Sequence, residues 1–420
     1  MNFDVAIVGG GMVGATLGVA LAPLNLRVAL IEAIPHNAAA QPSFDERTTA
    51  LSNGSRRILE TIGVWPALDG LATPIAKIHV SDQGRFGFAR IDAREQGLAA
   101  LGFVVANRAL GSALWSRLGT STRLKVFCPA EVSQVTAEDE AVKIEILQAG
   151  VTTAIDAKLI VAADGAQSAV RGAFGVAAEA RDYGQTAVIT TVLPQRFHDH
   201  VAYERFTPSG PLALLPLEGG RCTLVLTLTK DAAQSAMAWS DQEFLAEVQR
   251  RFGFRLGRFL KVGRRVTYPL FLTQSVSTTA PRCVIIGNAA QGLHPVAGMG
   301  FNLGLRDVAC LAELIAESAA KASAAKPGAA MAGAAMAADP GGSELLAEYD
   351  AWRTADRRGV IGFTDGLVRV FSNPLRGVQR LRNLALLAFD LLPPAKSALS
   401  RLSTGGGGRI PKLARGVALT

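Results

Sequence analysis

Apolar residues dominate Phe3–Val8, which reads as a buried strand. Val13–Leu21 follows with a helical pattern, and Arg27–Ile31 reads as the next strand. This is the opening β-α-β of a doubly wound sheet. Lys77–Ile91 and Ala187–Thr229 are β-rich, with turn residues at Pro208–Ser209–Gly210 and Glu218–Gly219–Gly220. Between them, Leu110–Leu118 predicts a helix and Lys158–Gly175 a strand, turn and helix. Further on, an apolar run at Cys283–Ile286 meets a glycine-rich loop. A helical pattern then runs through Leu305, Val308, Leu311 and Leu314–Ile315.

The nucleotide-type and β-rich pieces therefore interleave. The expected division is residues 1–75, 103–180 and 281–345 in a Rossmann-type α/β domain, and 76–102 and 181–280 in a β-sheet domain that holds substrate. Residues 346–420 form a C-terminal helical, basic region. Glu344–Phe371, leading into it, returns to helical spacing after a low-complexity Ala/Gly/Met/Pro insertion at 319–343. Gly405–Gly408 is expected to mark a loose end, with little order beyond it.

Composition narrows the class. With 49% apolar and 19% charged residues, the 420-residue chain is globular and long enough for several domains. Cys128, Cys222, Cys283 and Cys310 lie far apart in apolar runs, without metal spacing, and read as reduced thiols. No apolar run reaches the ~18–20 residues of a membrane span, and the N-terminal apolar stretch lacks a basic leader. The net charge is +8, and nine Lys/Arg against one acid from Arg369 onward account for it. A nucleic-acid surface is not needed to explain that charge; a basic tail is what needs explaining.

Three constellations carry chemistry. Gly9, Gly11 and Gly14 fit GxGxxG between a strand and a helix, and Glu32 ends the second strand. Those glycines allow the tight turn, the approach of a pyrophosphate and close helix packing, while the acid can accept ribose hydroxyls. Asp164–Gly165 ends a second strand before a helix; its plain alternative is an N-cap. The third is the loop Gly287–Asn302. Gly287–Asn288 stands where a ribose contact could be made. Pro295, Gly298, Gly300 and Asn302 then lead into a helix N-terminus whose N–H groups suit negative charge. His294 in this loop is either a base or a brace.

Together these segments resemble the FAD-dependent aromatic hydroxylases of the glutathione-reductase-like fold, over nearly the whole chain. FDERTTAL (44–51), ERFTPSGPLALLP (204–216), GNAAQGLHPVAGMGFNLGLRD (287–307) and Thr364–Asn373 look like the ubiquinone-biosynthesis branch. Asn288 stands where the wider family has Asp, which removes a charge but keeps a hydrogen-bonding group. The resemblance implies FAD as cofactor, O2 as co-substrate and NAD(P)H as reductant. It adds Arg47 and Arg108 as FAD-contacting residues, and gives Asp164–Gly165 a part in both FAD and nicotinamide binding. Its implied reaction is ring hydroxylation of a 2-polyprenyl-6-methoxyphenol-like phenol. Pro211, Leu215 and Pro216 would form part of an apolar substrate wall, and His294 is the one catalytic candidate. No metal is expected.

In the tail, Leu375, Val378, Leu381, Leu384, Ala385 and Ala388 fall on one helical face, and Arg376, Arg380 and Asn383 on another. A basic amphipathic helix of this kind reads as a membrane-surface or partner-docking element. The expectation is a cytoplasmic protein resting on the inner face of the membrane, open to self-association or to other ubiquinone-biosynthesis enzymes. Rival readings are a prenyl reductase of the same fold, a hydroxylase of short soluble phenols, and a non-catalytic subunit of a biosynthetic assembly.

Overall fold

In the computed structural model, residues 1–38, 41, 43, 45, 47–324, 339–371, 373, 375–392 and 408–419 are described. Residues 325–338 of the insertion expected at 319–343, and the basic residues Lys396 and Arg401, lie outside them, while 319–324 continue α7. The chain opens with β1 (Asn2–Val8), α1 (Met12–Leu21) and β2 (Val28–Ile31), the three predicted elements. Next come β3 (Thr48–Ser52), α2 (Asn53–Thr61) and β4 (Thr73–Ile75), then the hairpin of β5 (Lys77–Asp82) and β6 (Phe88–Asp92). β7 (Gly102–Ala106) leads into α3 (Asn107–Leu118) and β8 (Leu124–Phe127). β9 (Glu131–Ala137), β10 (Val142–Gln148) and β11 (Val151–Ala162) form a meander, followed by the short α4 (Ala169–Ala173).

The second half begins with the long β12 (Ala178–Pro194), then β13 (Val201–Thr207), β14 (Gly210–Pro216) and β15 (Cys222–Thr229). Two helices, α5 (Lys230–Ala238) and α6 (Asp241–Phe252), cover one face of these strands. α6 starts on a capping box in which Ser240 and Glu243 satisfy each other's backbone. β16 (Phe259–Val262), β17 (Val266–Ser275), β18 (Thr279–Ala280), β19 (Cys283–Ile285) and β20 (Gln291–Gly292) return the chain to α7 (Met299–Ala324). α8 (Ser343–Phe371) and α9 (Arg376–Leu391) follow.

The parallel order β19-β11-β1-β2-β8 forms the nucleotide-type sheet. Its core packs α1, α3 and α7 against buried residues of β1, β2, β11 and β19. α1 lies so close that a Cβ on Gly14 would sit 1.9 Å from the Gly9 carbonyl oxygen. The second sheet runs β20-β17-β12-β15-β14-β13-β5-β6, so the early hairpin joins strands made a hundred residues later. The molecule is therefore a Rossmann-type α/β domain interleaved with a β-sheet domain and finished by C-terminal helices. Among the described residues no helix is long and apolar enough to cross a membrane.

Two features of the C-terminal region depart from expectation. Residues 408–419 form an ordered strap across the nucleotide domain. Arg409 pairs with Glu313 at 3.0 Å, Glu317 at 3.2 Å and Glu348 at 2.9 Å, and lies over Trp352. Leu413, Ala414 and Leu419 enter the main core. Among the described residues of the tail, Arg369, Arg382, Arg409 and Lys412 are paired within the protein. α9 is amphipathic as expected, but its described polar residues Arg382 and Asn383 face inward. Arg382 pairs with Asp82 at 2.8 Å, and Asn383 donates to Asp82 and accepts from the Gly87 N–H. The apolar side faces out: Leu381 is 68% exposed, Leu384 57% and Leu391 78%.

α7 and α8 are joined by buried charge. Arg353 bonds Asp307 at 2.8 Å and Asp356 at 2.6 Å, and Arg306 bonds Asp356 at 2.8 Å. Burial alone would lower the Arg353 pKa, but the groups around it, Asp307 first and Asp356 among the others, together raise it instead. Stripping one member of such a pair leaves an uncompensated charge in the interior. Asp307→Ala should therefore lower stability by about 3–5 kcal/mol, read as a fall in the denaturation midpoint. A midpoint equal to wild type would show that the pair does not join these helices.

Candidate functional site

The first glycine turn has the form that phosphate binding requires. Gly9 has φ +101°, and a Cβ there would meet the Ala163 carbonyl at 2.4 Å, so only glycine fits. No side chain caps α1 and no acid lies in its first turn, which leaves its leading N–H groups unclaimed. Glu32 accepts from the Gly10 N–H and, at 2.8 Å, from the Ile34 N–H. A carboxylate has about four acceptor positions, so Glu32 both braces the turn and keeps capacity for ribose hydroxyls. Trp115 was not singled out from sequence. Its indole donates to the Gly10 carbonyl at 3.1 Å and stacks on His36 at 4.8 Å.

Asp164 sits beside this turn at the end of β11. One oxygen accepts from the Val170 N–H at 3.1 Å, while Oδ1 is buried with no partner among the described residues. Capping of α4 falls to Ser168. An orphaned buried acceptor is costly unless a ligand completes it. Gly165, with φ +87°, has open space beside it.

The third loop is held from behind. Asp307 accepts from the Gly287 N–H at 3.1 Å and from the Gln291 side chain at 2.9 Å. Gly287 lies against Val13 of α1, which brings this loop beside the first glycine turn. Asn288 is exposed on that turn. Asn302, 3% exposed, makes four bonds: it accepts from the Ser52 N–H and the Ser55 hydroxyl and donates to the Ala50 and Gly298 carbonyls, all within 2.8 Å. Its side chain is spent on fixing the loop. What it leaves for a ligand is the backbone around Gly298 and Gly300 at the start of α7, where a Cβ on Gly300 would meet nothing within 4 Å. Pro295 opens the short turn before it.

His294 is 1% exposed and accepts the Val296 N–H at Nδ1, 3.1 Å away. Burial lowers its pKa to about 4, so the ring is neutral, and an acceptor at Nδ1 places the proton on Nε2. The histidine braces the loop and has no free lone pair with which to act as a base.

Opposite the loop lies one face of the second sheet. Strand alternation and register put Ala202, Glu204 and Phe206 of β13 on this face, with Pro211, Ala213 and Leu215 of β14 beside them. Ala213, Leu215 and Val225 stay half-buried although β14 and β15 are central strands, so the face borders an open cleft. Pro216 falls on the other face, paired with Cys222 and the core under α5 and α6; the alternation of the strand excludes it from the substrate wall. Arg47 bonds Asp45 at 2.7 Å and lies over Tyr268 of β17, whose hydroxyl also reaches Asp45. It ties the two domains at the edge of the cleft. Phe44 and Glu46 beside it lie outside the described residues. Arg108 is exposed on the first turn of α3.

The residues present fit FAD. The glycine turn and α1 suit its pyrophosphate, Glu32 its ribose, Asp164 supplies an unmet acceptor, and the start of α7 offers amides for a developing negative charge.

Comparison with known proteins gives the same picture. Residues 2–326 match the family described as FAD binding domain. The ubiquinone hydroxylase UbiL of Rhodospirillum rubrum is 38% identical over 419 residues, 99% of this chain and 93% of that one. The 3-demethoxyubiquinol 3-hydroxylase of Escherichia coli is 30% identical, over 92% of this chain and 94% of its own. Among solved structures, p-nitrophenol 4-monooxygenase from Pseudomonas putida superposes with a TM-score of 0.76 at 18% identity, covering 97% of this chain and all of that one.

Asn302→Leu keeps the branching and the number of side-chain heavy atoms but strands its four partners, at about 1–3 kcal/mol for each left unsatisfied. The variant should melt earlier and purify with less FAD. Full FAD content and an unchanged melting temperature would show that the latch does not shape the site.

Proposed function

The chain belongs to the FAD binding domain family, and from that membership we propose that it hydroxylates the aromatic ring of a polyprenyl phenol in ubiquinone biosynthesis. It is an FAD-dependent aromatic monooxygenase, with O2 as co-substrate and NAD(P)H as the reductant typical of the family. The observation that carries the substrate assignment is the end-to-end match to ubiquinone hydroxylases, which leaves no domain of the chain unaccounted for.

FAD would be held by the Gly9–Gly14 turn, Glu32, Asp164 and the loop that ends in α7. When bound and reduced, FAD supplies activated oxygen for transfer to the ring. The protein's own residues do the rest. Amides at the start of α7 stabilise negative charge that develops at the site, an effect of about 2.7–4 kcal/mol per well-placed donor. The apolar wall of Pro211, Ala213, Leu215 and Val225 excludes water and accepts a greasy ring.

A prenylated phenol is dissolved in lipid, and α9 supports a route to it. Its outward leucines lie on one stripe, while Arg382 and Asn383 lock the helix to β5 and its turn. We assign this stripe to contact with the cytoplasmic membrane surface.

Two measurements test the reading. Incubation of the FAD-loaded protein with reductant, O2 and a short-chain prenyl-methoxyphenol should give a product heavier by one oxygen atom. A product heavier by two hydrogens, formed without O2, would mean a prenyl reductase. Changing Leu381, Leu384 and Leu391 together to Gln should reduce co-sedimentation with anionic liposomes while leaving FAD content intact. Sedimentation equal to wild type would remove α9 from the membrane contact.

A further inference from the structure

Glu204 stands in the middle of the cleft face of β13. Its neighbours along that face belong to two different clusters. Ala202 packs with Ala50 and Leu215, and Phe206 packs with Val296 and Tyr183. The loop before α7 spans the same two points: Val296 joins the Phe206 cluster, and Gly298 lies against Ala50. Glu204 is therefore placed across from the middle of the loop that presents the α7 amides. The residues opposite it in the sheet are Val80 and Ala213, which offer no hydrogen bond. The residue as a whole is only partly covered, but its Oε1 is sealed from solvent and has no partner among the described residues.

A carboxylate in such a position is expensive. Tyr203 and Arg205, on either side of it, show what the fold does with polar groups on the other face: Tyr203 packs on Phe252, and Arg205 bonds the Arg251 carbonyl at 2.8 Å. On the cleft face no such partner is provided. The titratable groups that share the face are His294, whose Nδ1 accepts the Val296 N–H while its buried Nε2 has no partner among the described residues, Tyr183, whose hydroxyl bonds Asp365, and Asp82, which is paired with Arg382. At the far edge lie Tyr268, Asp45 and Arg47, bonded to one another.

We propose that Glu204 is the catalytic base of this chain: its unpartnered carboxylate receives the phenolic proton of the bound substrate. The inference rests on the hydroxylase reading above. In the step, the phenol O–H bond breaks, the proton passes to a carboxylate oxygen of Glu204, and the electron pair stays on the substrate oxygen as phenolate. Nothing is oxidised or reduced. A free phenol of pKa about 10 is only about 0.1% ionised at pH 7, and the ionised ring is the better nucleophile. Burial pushes Glu204 up to about 8. That is close to the operating pH, where a general base works best, and it leaves only about 2 units between base and phenol. His294, neutral and with its proton on Nε2, cannot do this work.

The same burial has a consequence independent of turnover. An unfolded Glu releases its proton near pH 4.3, whereas the folded residue holds it to about 8. Between these values the native state binds the extra proton, so this group makes stability fall as pH rises through that window. Glu204→Gln should therefore melt at a higher temperature than wild type at pH about 8, and the difference should shrink towards pH about 5.

The deciding experiment uses the FAD-loaded wild type and Glu204→Gln with two prenyl phenols, one ordinary and one fluorinated so that it is already ionised. Without reductant, difference spectra should show a phenolate band for the ordinary phenol on the wild type and none on the variant. In turnover the variant should lose about 100-fold or more with the ordinary phenol and match wild type with the fluorinated one. An equal loss on both phenols, or no loss on either, would overturn the assignment of Glu204 while leaving the hydroxylase reading intact. If the wild type itself oxygenates neither phenol although its flavin is bound and reducible, both readings fall. Should the variant fail to load FAD, the wild-type pH profiles decide: an ascending limb near pH 8 for the ordinary phenol alone supports the base, and identical profiles exclude it.

Discussion

The carboxylate of Asp307 is where the site and the scaffold meet. From the middle of α7 it accepts the Gly287 N–H and the Gln291 side chain on one side and the Arg353 guanidinium on the other. Removed from water, this group is compensated by the three donors that converge on it. Their convergence fixes the position of α8 against α7 and the path of the loop between β19 and α7. The loop, in turn, sets the start of α7 and so the amides that face the cleft. Asn302 completes the restraint one and a half turns earlier by clamping the same loop to β3 and α2. The flexible-looking glycines of this loop are therefore held from two sides by residues whose own side chains do not face a ligand.

The opening β-α-β and the helix after the third loop were readable because each rests on local rules: strand-length apolar runs, helical spacing, and glycines where the backbone has no room for a Cβ. The interleaved architecture was readable for the same reason, since strand signals recur on both sides of the nucleotide-type segments. What could not be read depended on contacts far apart in sequence. Asp307 looks like an ordinary acid on a helix until Gly287 and Arg353 are brought to it. Glu204 lies within a quoted motif, yet its meaning depends on which sheet face receives the loop a hundred residues later. The apolar run that holds Pro211, Leu215 and Pro216 reads as one wall, and strand alternation sends Pro216 to the opposite face.

The tail shows the limit of amphipathic patterns. Spacing set Leu381 and Leu384 of α9 apart from Asn383, but it carries no information on which side faces the protein. Asp82 decides that, because a buried acid on β5 demands Arg382 and Asn383. Likewise, a run of glycines reads as a loose end. It cannot announce that Arg409 beyond it meets three glutamates from two helices.

The strap formed by residues 408–419 has a kinetic side. Leu413 and Leu419 sit in the same core as Val5 and Ile7 of β1, so that core contains partners from nearly opposite ends of the sequence. That core is complete only once Val5 and Ile7 have met Leu413 and Leu419, and closing contacts so far apart in sequence is slow.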